Sequence, residues 1–177
     1  MRIVGGKYKG RTLVKFDGNK IRPTSDMARE SLFNILQNVI YGANFLDLFS
    51  GTGAMGIEAL SRGAGKVTFN DFSRESIAVI KSNLTKLGVD ENYAVKNLDA
   101  ISLIESVAES FDIIYIDPPY KTDLGIKALD KISRVCHDQT IVVFEDEKPL
   151  GVELRDMEVV DRRKYGRVHL TMLKRKN

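Results

Sequence analysis

The sequence holds a single cysteine, Cys136, and no tryptophan among its 177 residues. One cysteine excludes an intrachain disulfide and any zinc site built from several thiolates. Histidine is nearly as scarce, with only His137 and His169, so the chain has few side chains suited to holding a transition metal. Four prolines and fourteen glycines exclude a collagen-like or proline-rich chain. No apolar run approaches the roughly 20 residues of a membrane-spanning helix. The opening Met1-Arg2-Ile3-Val4-Gly5-Gly6 carries a basic residue with no long apolar stretch behind it. No signal peptide is therefore expected, and the expected location is the cytoplasm.

What is present belongs to a soluble globular protein: 43% hydrophobic and 29% charged residues. At about 150 residues per domain the length fits one domain with a short extension. A chain of this size buries roughly 70% of its unfolded surface, enough for a core without disulfide or metal staples. The net charge of +3 is unevenly spread. Residues 1–30 carry eight Lys/Arg against three Asp/Glu, and residues 155–177 repeat that balance, so each end is +5 while the middle is −7. Basic ends on an acidic body suggest contact with a polyanion; taken singly, each basic residue is also an ordinary solvated charge.

Residues 3–16 read as a glycine-rich basic hairpin. A helix follows Arg22-Pro23-Thr24-Ser25-Asp26, capped by Thr24 or Ser25, with Glu30 close enough to assist. Ala28, Leu32, Ile35, Leu36 and Val39 fall on one face of it at helical spacing, and its start leaves Arg22 and Arg29 near the basic hairpin. From residue 44 short apolar strands alternate with helical patterns. Strands are expected at 45–49, 66–69, 93–95, 111–116 and 140–144, with helices at 55–62, 74–87, 100–108 and 124–135. Alternation of this kind implies a parallel sheet covered on both faces. Residues 157–162 and 167–173 have no helix between them, so the sheet should end in an antiparallel pair.

Two motifs carry chemistry. Asp47-Leu48-Phe49-Ser50-Gly51-Thr52-Gly53-Ala54-Met55-Gly56 leaves a strand and enters a helix. Glycines there let the backbone approach a ligand, the helix N-terminus attracts an anionic group, and Asp71 at the next strand's end can bind a ribose. A dinucleotide would put a pyrophosphate at this turn, and S-adenosylmethionine only a carboxylate. Asp47 favours the second, because an acid there meets a cationic amino group and sits poorly beside a pyrophosphate. A ligand-free tight turn would have the same glycines.

The second motif, Asp117-Pro118-Pro119-Tyr120, follows a strand at the same edge of the sheet. The prolines stiffen the corner and hold Asp117 extended. Tyr120 can stack on a planar ring, while the Asp117 carboxylate and the Pro118 carbonyl accept from an exocyclic amino group. Such acceptors favour the amino nitrogen as positive charge develops on it. Asp99 heads a helix, where it can cap that helix, meet an adenine amino group, or do both. Cys136-His137 lies far along the chain from both motifs and reads as structural.

Together these residues resemble the class I S-adenosylmethionine-dependent methyltransferases. The signature narrows with Arg2-Ile3-Val4-Gly5-Gly6, Gly10-Arg11, Arg22-Pro23-Thr24 with Asp26 and Arg29-Glu30, Leu32-Phe33-Asn34, and Glu58-Ala59-Leu60-Ser61-Arg62-Gly63-Ala64. With these the chain resembles the RsmD family, bacterial 16S rRNA guanine-N2 methyltransferases acting on the small ribosomal subunit. The resemblance implies a Rossmann-like α/β fold: a seven-stranded, mostly parallel sheet with an antiparallel C-terminal hairpin, preceded by a small β-hairpin and helix. On that basis residues 1–40 form a basic, RNA-facing extension and residues 41–177 the cofactor-binding catalytic part. It implies that S-adenosylmethionine, with S-adenosylhomocysteine as product, is held by Asp47, Ser50, Gly51, Thr52, Gly53, Asp71, Phe72, Asp99 and Ala100. It places amino-group chemistry at Asp117, Pro118, Pro119 and Tyr120, and RNA contacts at Arg2, Lys7, Lys9, Arg11, Arg22, Thr24 and Arg29. Ser50 and Asn70-Asp71 depart from the family's usual Ala and Val-Glu, and Asp71 has a shorter reach than Glu.

The expected substrate is 16S rRNA or the assembled small subunit, and the expected state a monomer. The amino-methylase motif also serves methylases of other RNAs, DNA adenine and protein glutamine. A nicotinamide-dependent oxidoreductase would explain Gly51, Gly53 and Gly56 but leave Asp117-Pro118-Pro119-Tyr120 without a purpose.

Overall fold

The computed structural model describes residues 1–15 and 25–176. After the N-terminal segment come α1 (Asp26–Ile35), β1 (Asn44–Asp47), α2 (Ala54–Ser61), β2 (Lys66–Asn70), α3 (Arg74–Leu87), β3 (Tyr93–Lys96) and α4 (Ala100–Ser106). The chain continues through β4 (Phe111–Ile116), α5 (Leu124–Lys131), β5 (Cys136–Asp146), β6 (Met157–Tyr165) and β7 (Val168–Arg175). The seven strands lie in the order β3-β2-β1-β4-β5-β7-β6. The first five are parallel and β7 runs antiparallel to both β5 and β6. This is the expected sheet with its reversed final hairpin. Among the described residues no helix is long and apolar enough to cross a membrane.

Strand alternation sorts the core into two layers. Phe45, Val67, Phe69, Ile113, Tyr115, Val143 and Leu170 face α1, α2, α3 and the N-terminal segment. Leu46, Ile114, Ile116, Val142, Phe144 and Leu173 face α4 and α5. Each fully buried Leu, Ile or Phe contributes about 1.5–3 kcal/mol, so the layers hold the sheet independently of any ligand. The helix expected at 124–135 is shorter, because after Lys131 the chain tightens into a 3-10 turn, Ile132–Val135. β5 begins earlier than expected, with an irregularity opposite Phe111–Ile113 that keeps the longer strand in register.

The N-terminal residues are fastened onto this body. Arg2 and Thr12 form an antiparallel bridge, and Ile3 and Leu13 are buried in the first core layer. The Lys7 N–H donates to the Ser61 carbonyl at 2.7 Å, and the Val14 N–H to Asn83 Oδ1 at 2.7 Å. Ser25 caps α1 by accepting from the Ala28 N–H at 3.1 Å; the other expected cap, Thr24, lies outside the described residues. The buried face of α1 is not the expected one. Ala28, Leu32 and Leu36 are buried as anticipated, but they are joined by Arg29 and Phe33, whereas Ile35 and Val39 are 39% and 43% exposed. Phe33 stacks on Phe45 and anchors the helix in that rotation.

Candidate active site

Parallel pairing brings the carboxyl ends of β2, β1, β4 and β5 to one edge of the sheet. β1 ends in Asp47, β2 is followed by Asp71, β4 by Asp117, and β5 ends in Glu145-Asp146. The cofactor-type turn and the Asp-Pro-Pro-Tyr corner therefore share this edge.

The turn after β1 is closed by short-range bonds. Ser50 Oγ donates to the Asp47 carbonyl at 2.7 Å and accepts from the Asn70 N–H at 3.0 Å, and the Gly53 N–H donates to the Ser50 carbonyl at 2.7 Å. Gly51 and Gly53 have φ of 53° and 79°, a left-handed backbone that side-chain-bearing residues avoid. Gly53 heads α2 without a side-chain cap of its own, and of the first N–H groups of that helix the Gly56 N–H is taken by the Asp47 carboxylate. Asp47 is 1% exposed; its Oδ2 accepts from the Gly56 N–H at 3.0 Å, and its Oδ1 has no hydrogen-bond partner. Burial pushes its carboxyl up to about 7, opposed by the Gly56 N–H and reinforced by the charge of Asp71. A buried acid with an unpartnered oxygen fits a site for a cationic amino group, and the residues present thus fit S-adenosylmethionine better than a dinucleotide.

Asp71 is tied to this turn. Its Oδ2 accepts from the Gly51 N–H and its Oδ1 from the Ser73 N–H, each at 2.8 Å. The remaining lone pairs of both oxygens are available to ribose hydroxyls. Asn97 Nδ2 donates to the Asp71 and Phe72 carbonyls at 2.9 and 2.8 Å, fixing the loop on which Phe72 stands 79% exposed. Asp99 caps α4: its Oδ1 accepts from the N–H groups of Ile101 and Ser102 at 3.0 and 3.1 Å. Ala100 is buried behind it.

Asn70 is the positioning residue that the sequence reading passed over. It is 1% exposed. Its amide donates to the Leu48 and Leu98 carbonyls, both at 3.1 Å, and accepts from the Leu98 N–H at 3.2 Å. One side chain thus ties together the loops after β1 and β3. The signal was a polar residue where the family's pattern has Val.

In the second motif Asp117 is half-buried, Pro118 buried, Pro119 exposed and Tyr120 half-buried, and no peptide bond is cis. The Pro119 carbonyl accepts from the Thr122 hydroxyl at 2.7 Å. A side chain at Gly125 would overlap Pro118 and the Phe144 ring, so α5 packs tightly beneath the corner. Burial, then the negative charges of Glu145, Asp47 and Asp146, hold the Asp117 carboxyl well above the usual carboxylate range. Glu145 is buried and hydrogen-bonded by the Tyr115 hydroxyl. An acid so placed holds a proton more readily than a surface carboxylate does, which suits it to taking one from an amino group. Cys136, by contrast, is buried with its thiol pushed up to about 11 by burial, and its Sγ points to the Ile132 carbonyl. His137 rests on Asp112 at 2.9 Å. Neither group approaches this edge, and both are structural.

The basic residues are dispersed. Arg22 and Thr24 lie outside the described residues. Arg29 cannot serve as a surface phosphate contact, because it is 1% exposed. Its guanidinium pairs with Asp26 at 2.9 Å, donates to the Arg2 carbonyl, and lies 3.6 Å from the buried Glu58 carboxylate. Glu58 also accepts from Arg62 Nε at 2.8 Å and from the Val4 N–H at 2.9 Å. Lys7, Lys9 and Arg11 are exposed, and Lys7 and Arg11 flank the Tyr8 ring. They sit, however, beside Ser61 and Leu87, the last residues of α2 and α3. That is the amino-terminal edge of the sheet, opposite Asp117. Arg2 is exposed, 3.6 Å from Asp26.

The chain is similar to known proteins. The family described as "Conserved hypothetical protein 95" matches residues 1–174. Ribosomal RNA small subunit methyltransferase D of Escherichia coli is 40% identical over 154 residues, covering 86% of this chain and 77% of that protein. The Haemophilus influenzae protein of the same name is 34% identical, covering 85% of this chain and 81% of its own length. The solved structure of Escherichia coli yhhF superposes with a TM-score of 0.88 at 29% identity, over 100% of this chain and 98% of that one.

Proposed function

The chain belongs to the RsmD family, the one described as conserved hypothetical protein 95. From that membership we propose that it methylates the exocyclic N2 amino group of a guanine in the 16S rRNA of the small ribosomal subunit. It is an rRNA methyltransferase, and its methyl donor is S-adenosylmethionine. The observation that carries the choice of an amino group is the juxtaposition of Asp117-Pro118-Pro119-Tyr120 with the Asp47–Gly53 turn on one sheet edge.

When bound, the cofactor supplies a methyl group on a positively charged sulfur, so the protein need provide no nucleophile of its own. Asp47 would counter the cofactor's amino group from the buried end of β1, and the N–H groups of Ala54 and Met55 at the start of α2 would donate to the cofactor's carboxylate. Asp71 would take the ribose hydroxyls, Phe72 and Ala100 would hold the adenine, and Asp99 would accept from the adenine amino group through the oxygen not used in capping. Tyr120 stacks on the guanine once it is turned out of the RNA. Asp117 and the Pro118 carbonyl accept the two N–H bonds of the amino group, holding its lone pair toward the methyl. As that nitrogen becomes positive the Asp117 carboxylate stabilises it and then takes its proton.

In this reading residues 1–40 are the RNA-facing extension and residues 41–177 the catalytic part, working as a monomer in the cytoplasm. Arg2, Lys7, Lys9 and Arg11 hold phosphates of the larger ribonucleoprotein at the end of the sheet away from the reacting base. The test is Asp117→Ala. It should keep cofactor affinity within about twofold while methyl transfer falls more than about 100-fold. Retained turnover would remove Asp117 from the chemistry.

A further inference from the structure

The charge pattern marks a second basic end, and the structure locates its tip. β6 and β7 form a hairpin in which Lys164 pairs with His169 and Tyr165 with Val168, leaving Gly166-Arg167 as a two-residue turn. Because β7 runs antiparallel to β5, with His169 opposite Asp146, this turn lies at the same edge as Asp117 and projects beyond the end of β5. Arg162, Arg163, Lys164 and Arg167 are all exposed there. Asp161 occupies Arg163 at 2.9 Å, while no ion pair among the described residues engages Lys164 or Arg167. Register carries the tip across the sheet: Glu145 pairs with Leu170, and Leu170 with Arg163. At about 4.8 Å per strand, Arg163 lies roughly 15 Å from Asp117.

We propose that the tip of the β6–β7 hairpin, through Lys164 and Arg167 with Arg162 and Arg163 behind them, binds the RNA backbone that flanks the target base. This rests on the RNA reading given above. Two observations carry it. The catalytic edge carries the acids Asp71 and Asp146 at its strand ends, so a phosphate chain approaching the corner is favoured where cations stand beside it. Lys7 and Arg11 do not fill that place. They contact the far ends of α2 and α3, and the 14-residue α3 alone spans about 21 Å. A paired hairpin also presents its charges on a rigid support, so little side-chain and loop ordering opposes binding. The competing role is protection of β6, an edge strand, from edge-to-edge association.

The experiment compares three proteins by binding and initial rates on unmethylated small subunits over a range of salt. They are the wild type, Lys164→Gln with Arg167→Gln, and Lys127→Gln with Lys131→Gln on α5. Each double variant removes two exposed charges, and equal melting midpoints establish that all three are folded. The hairpin variant should raise KM about tenfold and make the log-log salt slope shallower by roughly 1.4–1.8, the release expected for two lost phosphate contacts. The α5 variant should stay within about twofold. Equal effects in both variants would reduce the hairpin to net charge and overturn the proposal. An unchanged KM in the hairpin variant, or self-association with normal binding, would overturn it and leave edge protection. Wild-type transfer to DNA or protein but not to RNA would remove the RNA reading itself, and this proposal with it.

Discussion

The Asp71 carboxylate accepts the Gly51 N–H at 2.8 Å, so the acid after β2 holds the glycine turn after β1 in place. Its other oxygen accepts from Ser73 at the start of α3. Asp71 thus shapes the glycine turn, and in the proposed reading it also takes the ribose hydroxyls. Asp71→Ala should weaken S-adenosylhomocysteine binding at least about tenfold, and unfolding free energy should fall by about 1–3 kcal/mol because the Gly51 and Ser73 donors lose their acceptor. Calorimetric titration and chemical unfolding read the two effects separately. Unchanged affinity would leave Asp71 a turn residue only.

Asp47 should make stability depend on pH. Its carboxyl is raised to about 7 in the folded protein, against about 3.9 in an unfolded chain. A raised folded-state value favours the protonated form in the fold. The stabilisation is therefore complete below about pH 4 and is lost progressively as pH rises through 7, on the order of 4 kcal/mol in all. Asp47→Asn should melt close to the wild type at pH 4 and higher than it at pH 8, while binding the cofactor more weakly. A pH-independent difference in melting midpoint between the two proteins contradicts this.

Arg29→Ala should destabilise the protein by about 3–5 kcal/mol, because among the described residues it leaves Glu58 with Arg62 as its only close cationic partner in a buried site. The folded variant should bind RNA with wild-type affinity and salt slope. A shallower salt slope with unaltered stability would return Arg29 to the RNA surface.

Asn70→Ala removes three side-chain hydrogen bonds that join the loops after β1 and β3. A loss of about 2–4 kcal/mol is expected, with a weaker cofactor complex. Denaturant unfolding and titration with S-adenosylhomocysteine check both. Wild-type affinity in the folded variant would confine Asn70 to stability.

The alternation of strands and helices, the shared edge of the two motifs and the reversed final hairpin were legible because each is written locally, in periodicity and in turn residues. What was misread depends on partners distant in sequence. Arg29 reads as a surface cation until Glu58, in another helix, is seen to bury it. The rotation of α1 follows Phe33 on Phe45 rather than the spacing that also admitted Ile35 and Val39. Nothing in the sequence placed the basic residues at 7–11 relative to the chemistry; they dock on the ends of α2 and α3. Their position follows from helix length and direction, which composition does not record. Asn70 was noticed only as a departure from the family's pattern; its three hydrogen bonds emerge from the loops that the sheet brings around it.

The central claim is tested most directly by transfer of a labelled methyl group from S-adenosylmethionine. The acceptors are unmethylated small subunits, large subunits, naked rRNA, DNA and a protein extract, with the product nucleoside identified by mass. The account predicts N2-methylguanosine in the 16S rRNA of the small subunit and no label in DNA or protein. Label in DNA adenine or protein glutamine would keep the fold and the amino-group chemistry while contradicting the substrate.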